Sequence, residues 1–148
     1  MTTKLNAAPD ASESEAFVRK LNRAVEEAAA EERPYAVMAC VPQSLPGEIT
    51  SDVVNAAGQC ILDLVRDSDL PGVVRCDIVA VGLAETDAAG AQVLAYRLQN
   101  ELTLRSTPLR NTVWESGFAC LPEDGRTAEE LLDAAITAAK TRRRRLAE

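Results

Sequence analysis

The sequence contains no histidine. This absence excludes an imidazole general base, Ser-His and Cys-His nucleophile pairs, and most zinc sites, so any catalysis would have to rest on carboxylates. The four cysteines also form no Cys-x-x-Cys pair, which argues against a metal site built on that spacing. Because Cys40, Cys60 and Cys120 lie within apolar segments, we expect them to be reduced core residues.

The sequence also has no apolar run long enough to cross a bilayer, and its N-terminus has no apolar segment typical of a signal peptide. We therefore expect a cytoplasmic protein without membrane contact. The net charge is −7 and the isoelectric point is near 4.7, which does not favour nucleic-acid binding. The 148 residues, of which 47% are apolar, are enough for one domain with its own core.

The first third of the chain predicts a tail, a helix and a strand. Residues 1–11 are small and polar, which is typical of a disordered tail. Ser12 and Glu15 have the spacing of a capping box, and apolar residues recur at helical spacing after them, so a helix is expected over 12–33. Pro34 ends this helix, and the apolar run Tyr35–Val41 then predicts a buried central strand.

The rest of the chain alternates between helical and strand patterns. Two β-branched runs that meet at Arg75-Cys76-Asp77 predict a hairpin. Before it, the pattern predicts a helix over Ser51–Arg66. After it, the pattern predicts a helix over Asp87–Arg105, a strand over Asn111–Leu121, and a last helix that begins at the capping box of Thr127 and Glu130.

The stretch from Leu64 to Asp87, LVRDSDLPGVVRCDIVAVGLAETD, is the centre of this pattern. Arg66 and Asp69 form an Arg-x-x-Asp turn, and the hairpin residues Arg75–Val79 follow after a five-residue spacer. This arrangement resembles the core of a GGDEF domain, the bacterial diguanylate cyclase module. In that family the same turn precedes the Gly-Gly-(Asp/Glu)-Glu-Phe hairpin at this spacing. Further along, Pro122–Gly125 is similar to the family's Pro-x-Asp-Gly turn.

The resemblance implies an α+β fold over residues 34–148. The expected architecture is ferredoxin-like, with the antiparallel sheet of the nucleotide-cyclase palm and helices packed on it. Family members carry a helix in the position of 12–33 that joins the module to a sensor and supports dimers. Two interpretations of this helix stay open: it packs on its own domain, or it helps to form a homodimer.

The residues on which the family's catalysis depends are replaced in this sequence. Arg75 and Cys76 stand where the signature has two glycines, and Ile78 stands where it has a glutamate, which leaves Asp77 as a lone carboxylate. The first strand ends in Cys40–Gln43 and offers no carboxylate, although Mg²⁺ requires hard oxygen ligands. The resemblance therefore implies a degenerate domain that is not an enzyme, with no catalytic residue and no metal site.

Arg66 and Asp69 are the candidate ligand-binding residues. In the family this turn is the inhibitory site that binds cyclic di-GMP. A guanidinium fork can bind a guanine edge or a phosphate, and a nearby aspartate can accept hydrogen bonds from guanine N–H groups. Cyclic di-GMP is thus the one candidate regulatory ligand, and no cofactor is predicted. The alternative is structural, with Arg66 as a cation that ends a helix and Asp69 as a turn residue.

Three functions compete on this basis. The first is a non-catalytic regulatory module in bacterial signalling that binds a signalling or regulatory protein and senses cyclic di-GMP through Arg66 and Asp69. The second is a ligand-independent docking scaffold. The third, an active nucleotide cyclase, is disfavoured by the missing carboxylates. The Arg142–Arg145 run is interpreted as a solvated helix end, with an acidic protein partner or a phosphate as the alternative.

Overall fold

The computed structural model describes residues 11–43, 51–74, 78–104 and 113–147. The elements within these ranges alternate in the order that the sequence predicts. They are α1 (Ala11–Ala30), β1 (Tyr35–Gln43), α2 (Ser51–Leu64), β2 (Leu70–Val74), β3 (Ile78–Ala84), α3 (Ala88–Leu104), β4 (Val113–Leu121) and α4 (Ala128–Ala147). The tail predicted over residues 1–11 falls outside the description up to residue 10, and so does the centre of the hairpin at Arg75, Cys76 and Asp77.

The end of α1 differs from the prediction. The helix ends at Ala30 rather than at Arg33. Glu32 adopts a left-handed backbone conformation with φ of 54°. The amide of Glu32 then donates to the carbonyl of Ala29, and the amide of Arg33 donates to the carbonyl of Ala28. This is a Schellman motif, in which the chain reverses and satisfies the last helical carbonyls.

The described strands form one antiparallel sheet in the order β2-β3-β1-β4. Strand β1 lies in the middle, with Cys40 opposite Val79 on β3 and opposite Ser116 on β4. Side chains of a strand alternate between the two faces of the sheet. Accordingly, Met38 and Cys40 belong to the core under α2 and α3, whereas Val37 and Ala39 belong to the core under α1 and α4. The predicted α+β sheet with helices packed on it is confirmed.

Helix α1 packs on the sheet of its own domain. Its apolar stripe, represented by Phe17, Leu21 and Val25, is buried against β2 and β3. Two strand glycines provide the space: a Cβ on Gly72 would overlap the ring of Phe17, and a Cβ on Gly82 would overlap Leu21. Because the stripe is occupied by the domain itself, a homodimer would have to use another surface.

The cysteines that the structure describes lie in the core, as expected. Cys40, Cys60 and Cys120 are buried and carry free thiols. Cys40 on β1 and Cys60 on α2 belong to the same core cluster. Burial, with Cys60 and Glu115 nearby, raises the pKa of the Cys40 thiol above its ordinary range, so this group stays protonated at neutral pH.

Candidate functional site

The turn between α2 and β2 holds both candidate ligand-binding residues. After Leu64 the chain leaves the helix, and the amide of Asp69 donates to the carbonyl of Arg66 at 3.0 Å, which closes the turn. The carboxylate of Asp69 points back and accepts from the Arg66 amide at 2.9 Å. This is the local hydrogen bonding that makes aspartate a frequent turn residue.

Asp69 carries a buried carboxylate that accepts its hydrogen bonds from groups of the same domain. Only 2% of its side chain is exposed. Besides the Arg66 amide, it accepts from the guanidinium of Arg66 (Nη2 to Oδ1, 3.2 Å) and from the amide of Ala84 at the end of β3, at 3.3 Å. Buried charges in proteins are normally paired and hydrogen-bonded in this way. Both carboxylate oxygens are thus engaged within the domain.

Arg66 reaches across to the following β3–α3 connection. Its Nη2 atom donates to the carbonyl oxygen of Ala84 at 2.6 Å and to Oγ1 of Thr86 at 3.1 Å. Even so, 56% of its side chain is exposed. We call Arg66, Asp69, Ala84 and Thr86 the turn clasp, because they join the α2–β2 turn to the end of β3. The sequence predicted the pairing of Arg66 with Asp69 but not their contacts with Ala84 and Thr86.

Tyr35 lies on β1 close to the turn clasp. Only 3% of it is exposed, and its hydroxyl occupies the space above Gly82. Burial, reinforced by the negative charge of Asp69, raises the pKa of the Tyr35 hydroxyl above its ordinary range. The negative charge of Asp69 therefore interacts with the Tyr35 hydroxyl in the core beneath α1 as well as with the Arg66 guanidinium.

Alkaline pH should lower the free energy of unfolding of the protein, and Tyr35 should account for part of this decrease. The raised pKa means that folded Tyr35 keeps its proton where an unfolded tyrosine, with a pKa of about 10, loses it. This contribution to stability is complete below pH 10 and is lost progressively as the pH rises above it. At about pH 11, Tyr35→Phe should therefore gain about 1.4 kcal/mol relative to wild type, after subtraction of their difference at neutral pH.

Urea denaturation at neutral and alkaline pH, with a reductant present, measures this effect. Tyr96→Phe is the matched control, because the Tyr96 side chain is 69% exposed on α3, and its pH profile should follow the wild type. Equal alkaline losses in wild type and Tyr35→Phe would contradict the assignment.

The end of β1 is the place where the resemblance would require metal-binding carboxylates. The pairing of Cys40 with Val79 brings this end beside the hairpin. The residues there supply a buried neutral thiol from Cys40 and the hydrocarbon side chains of Val41 and Pro42. Mg²⁺ is held by carboxylate, carbonyl and water oxygens. The side chains of these three residues therefore offer no oxygen ligand to a magnesium ion.

A buried carboxylate that is not among the sequence-predicted site residues lies on the neighbouring strand. Glu115 of β4 is 3% exposed and stands opposite Val41 in the sheet register. A charged residue at a buried position is uncommon and would normally be paired. Its signal in the sequence is a single acidic residue within the apolar strand VWESGFACL.

Comparisons with known proteins identify the fold. No family model matches the sequence, and no curated protein matches it significantly. Among solved structures, the GGDEF domain of PA1120 (YfiN or TpbB) from Pseudomonas aeruginosa matches with a TM-score of 0.76 and 23% identity, covering 98% of this chain and 93% of that chain. The GGDEF domain of DgcB from Caulobacter crescentus, solved with c-di-GMP, matches with a TM-score of 0.72 and 18% identity, covering 88% and 84%.

A domain described as active has the same fold. The active GGEEF domain of a diguanylate cyclase from Vibrio cholerae matches with a TM-score of 0.74 and 12% identity, covering 88% of this chain and 90% of that chain. The chain therefore has the fold of GGDEF domains, as the resemblance implied. In the described ranges, no helix combines the length and the apolar character that a bilayer span requires.

Proposed function

We propose that this chain is a non-catalytic regulatory domain of GGDEF fold that acts in cyclic di-GMP signalling by binding another protein. The observation that carries the proposal is the composition of the β1 end. The sheet register brings Cys40 beside the hairpin strand β3, where Mg²⁺ would need oxygen ligands from both sides. A protonated thiol and two hydrocarbon side chains do not meet this need, and the hairpin sequence Arg75–Val79 contains one carboxylate, Asp77.

The change of hairpin sequence supports the same proposal. Glycine permits a phosphate to approach the backbone because it has no Cβ. Arg75 and Cys76 stand at the positions of the signature glycines, and both are residue types that carry a side chain where glycine has none. Substrate approach and metal binding are therefore both impaired by residue identity alone.

Incubation of the purified protein with GTP and Mg²⁺, followed by chromatography of the nucleotides, tests the absence of catalysis. We expect GTP to remain unchanged. A cyclic dinucleotide product would overturn the proposal and would show that the carboxylates come from elsewhere in the chain. An active diguanylate cyclase assayed in parallel serves as the positive control.

Cyclic di-GMP sensing is the finer part of the proposal, and the exposure of Arg66 favours it. More than half of this side chain is exposed, while Asp69 and Ala84 hold one edge of its guanidinium. A guanidinium that is oriented in advance loses less entropy when it binds a guanine or a phosphate. In this arrangement Arg66 contacts the ligand, and Asp69 orients Arg66.

Calorimetric titration with cyclic di-GMP separates sensing from ligand-independent docking. Binding with micromolar affinity that disappears in Arg66→Ala and persists in Arg97→Ala would support sensing, because Arg97 is an exposed arginine on α3. Arg66→Lys keeps the charge but removes the fork, so it should bind at least tenfold more weakly than wild type. Absence of heat with the wild type would leave docking as the function.

A further inference from the structure

Helix α3 has exposed apolar side chains on the side opposite its buried one. Ala91, Ala95 and Leu98 lie in the core beneath the helix. The large hydrophobic side chains that are exposed in the described residues are Val93 and Tyr96, at 60% and 69%. At about 3.6 residues per turn, both point away from the buried stripe. A surface helix normally presents charged or polar residues on that side. The outward side of α3 is therefore suited to a second packing contact.

The outward side of α3 also carries little charge. Its exposed positions hold one charged residue, Arg97, and the structure shows no ion pair between Arg97 and another described residue. By contrast, the described exposed positions of α1 and α4 are mostly charged, as in Lys20, Glu26 and Glu130. Protein interfaces are enriched in tyrosine and arginine and depleted of lysine, glutamate and aspartate. The composition of this side of α3 is typical of an interface.

The spacing of the outward residues is that of a seam between two packed helices. Ala89, Val93, Tyr96 and Asn100 are exposed and follow one another at intervals of four, three and four residues. Hydrophobic positions that recur about every 3.5 residues form the contact seam of paired helices. In heptad terms, Val93 and Asn100 occupy a positions and Ala89 and Tyr96 occupy d positions. Arg97 then lies at an e position, directly beside the seam. The partner that fits this surface is therefore a helix.

The charge beside the seam indicates the chemistry of that helix. In paired helices, residues at e and g positions form ion pairs across the contact and determine which helices associate. Arg97 therefore calls for a carboxylate on the opposite helix. A second copy of α3 does not supply it, because the one acidic residue of α3, Glu101, lies at a b position and already has a partner. The complementary helix is thus acidic and belongs to another protein.

We propose that the outward side of α3 binds an acidic amphipathic helix of another protein. The apolar seam of that helix covers Val93 and Tyr96, and a carboxylate beside the seam pairs with the guanidinium of Arg97. The net charge of −7 repels an acidic helix from the chain as a whole, which favours binding at this one weakly charged face. The inference rests on the proposed function, because it names the surface through which the regulatory domain binds its partner.

Fluorescence anisotropy with a labelled synthetic peptide and the full chain tests this surface. The probe is a three-heptad peptide with leucine at a and d and glutamate at e and g, and the comparison peptide has lysine in place of each glutamate. We expect the wild type to bind the acidic peptide with micromolar affinity. Tyr96→Ala removes the largest seam side chain and Arg97→Glu opposes like charges, so each should weaken this binding at least tenfold.

The lysine peptide provides the decisive measurement. Arg97→Glu places a carboxylate beside the seam, so this variant should bind the lysine peptide at least tenfold more tightly than the wild type does. Arg23→Glu is the matched control, because Arg23 is exposed on α1 and its reversal changes the net charge by the same amount. This control should bind both peptides as the wild type does. Circular dichroism confirms that each variant is folded.

Three results would overturn the proposal. The first is a wild type that leaves the acidic peptide unbound at about 100 μM protein, a concentration at which micromolar binding would be nearly complete. The second is a folded Tyr96→Ala variant that binds as tightly as the wild type. The third is an equal effect of Arg23→Glu and Arg97→Glu on both peptides. Each would refute this surface alone, whereas formation of a cyclic dinucleotide from GTP would refute the proposed function.

Discussion

Asp69→Ala should lower the free energy of unfolding by about 3 kcal/mol. The substitution removes a buried carboxylate that accepts hydrogen bonds from the amides of Arg66 and Ala84 and from the Arg66 guanidinium. The Ala84 amide would lose this partner, and the α2–β2 turn would lose its link to the end of β3. Urea denaturation at neutral pH measures the change.

Asp67→Ala is the matched control for this prediction. Asp67 belongs to the same turn but is exposed, so its removal should change stability by about 0.5 kcal/mol at most. Arg66→Ala should fall between the two, because the Arg66 side chain is largely exposed and solvent replaces its hydrogen bonds. If Asp69→Ala cost no more than Asp67→Ala, the turn clasp would not contribute to folding.

Gly117→Ala should destabilise the protein by about 3 kcal/mol, at the upper end of the usual cost of overpacking. Gly117 lies on β4 directly beneath α4. A Cβ at this position would overlap the backbone carbonyl of Ala135, the backbone amide of Ala139 and the side chain of Ala138. Two of these three are main-chain atoms of a helix, so no rotamer change relieves the overlap. Helix α4 would have to move away from the sheet.

Gly90→Ala provides the comparison for this substitution. Gly90 lies in the exposed first turn of α3, and the nearest atom to an added Cβ is a methyl group of Thr86 at 3.1 Å. Alanine is favoured over glycine within a helix by up to about 1 kcal/mol, so this variant should be neutral or slightly stabilised. Thermal unfolding of both variants measures the difference. Equal melting temperatures would show that α4 tolerates a side chain beneath it.

Local pattern was sufficient to predict most of the architecture. Apolar residues at helical spacing predicted α1, and β-branched runs predicted β2 and β3, because each pattern reflects burial on one face or within a sheet. The end of α1 was predicted wrongly at Arg33. Its termination depends on a left-handed glutamate, Glu32, and glutamate carries no strong signal for that conformation. Residue identity alone also predicts that the end of β1, Cys40–Gln43, offers no carboxylate.

The candidate site includes features that local sequence patterns could not predict. The spacing of Arg66 and Asp69 predicted that they share a turn, and they do. The spacing carried no information on the partners of Asp69, since the amide of Ala84 lies fifteen residues further along the chain. Nor did it reveal that Glu115 would be buried beside the end of β1. Both facts depend on the pairing of strands that are distant from each other in the sequence.

Sequence alone was therefore enough to establish the order of helices and strands and the α+β class, because periodicity and residue chemistry are local properties. Tertiary packing established that α1 covers its own sheet and that Asp69 accepts a hydrogen bond from the amide of Ala84 at the end of β3. Each of these results requires two segments distant in the chain to meet, and the sheet order β2-β3-β1-β4 is what brings them together.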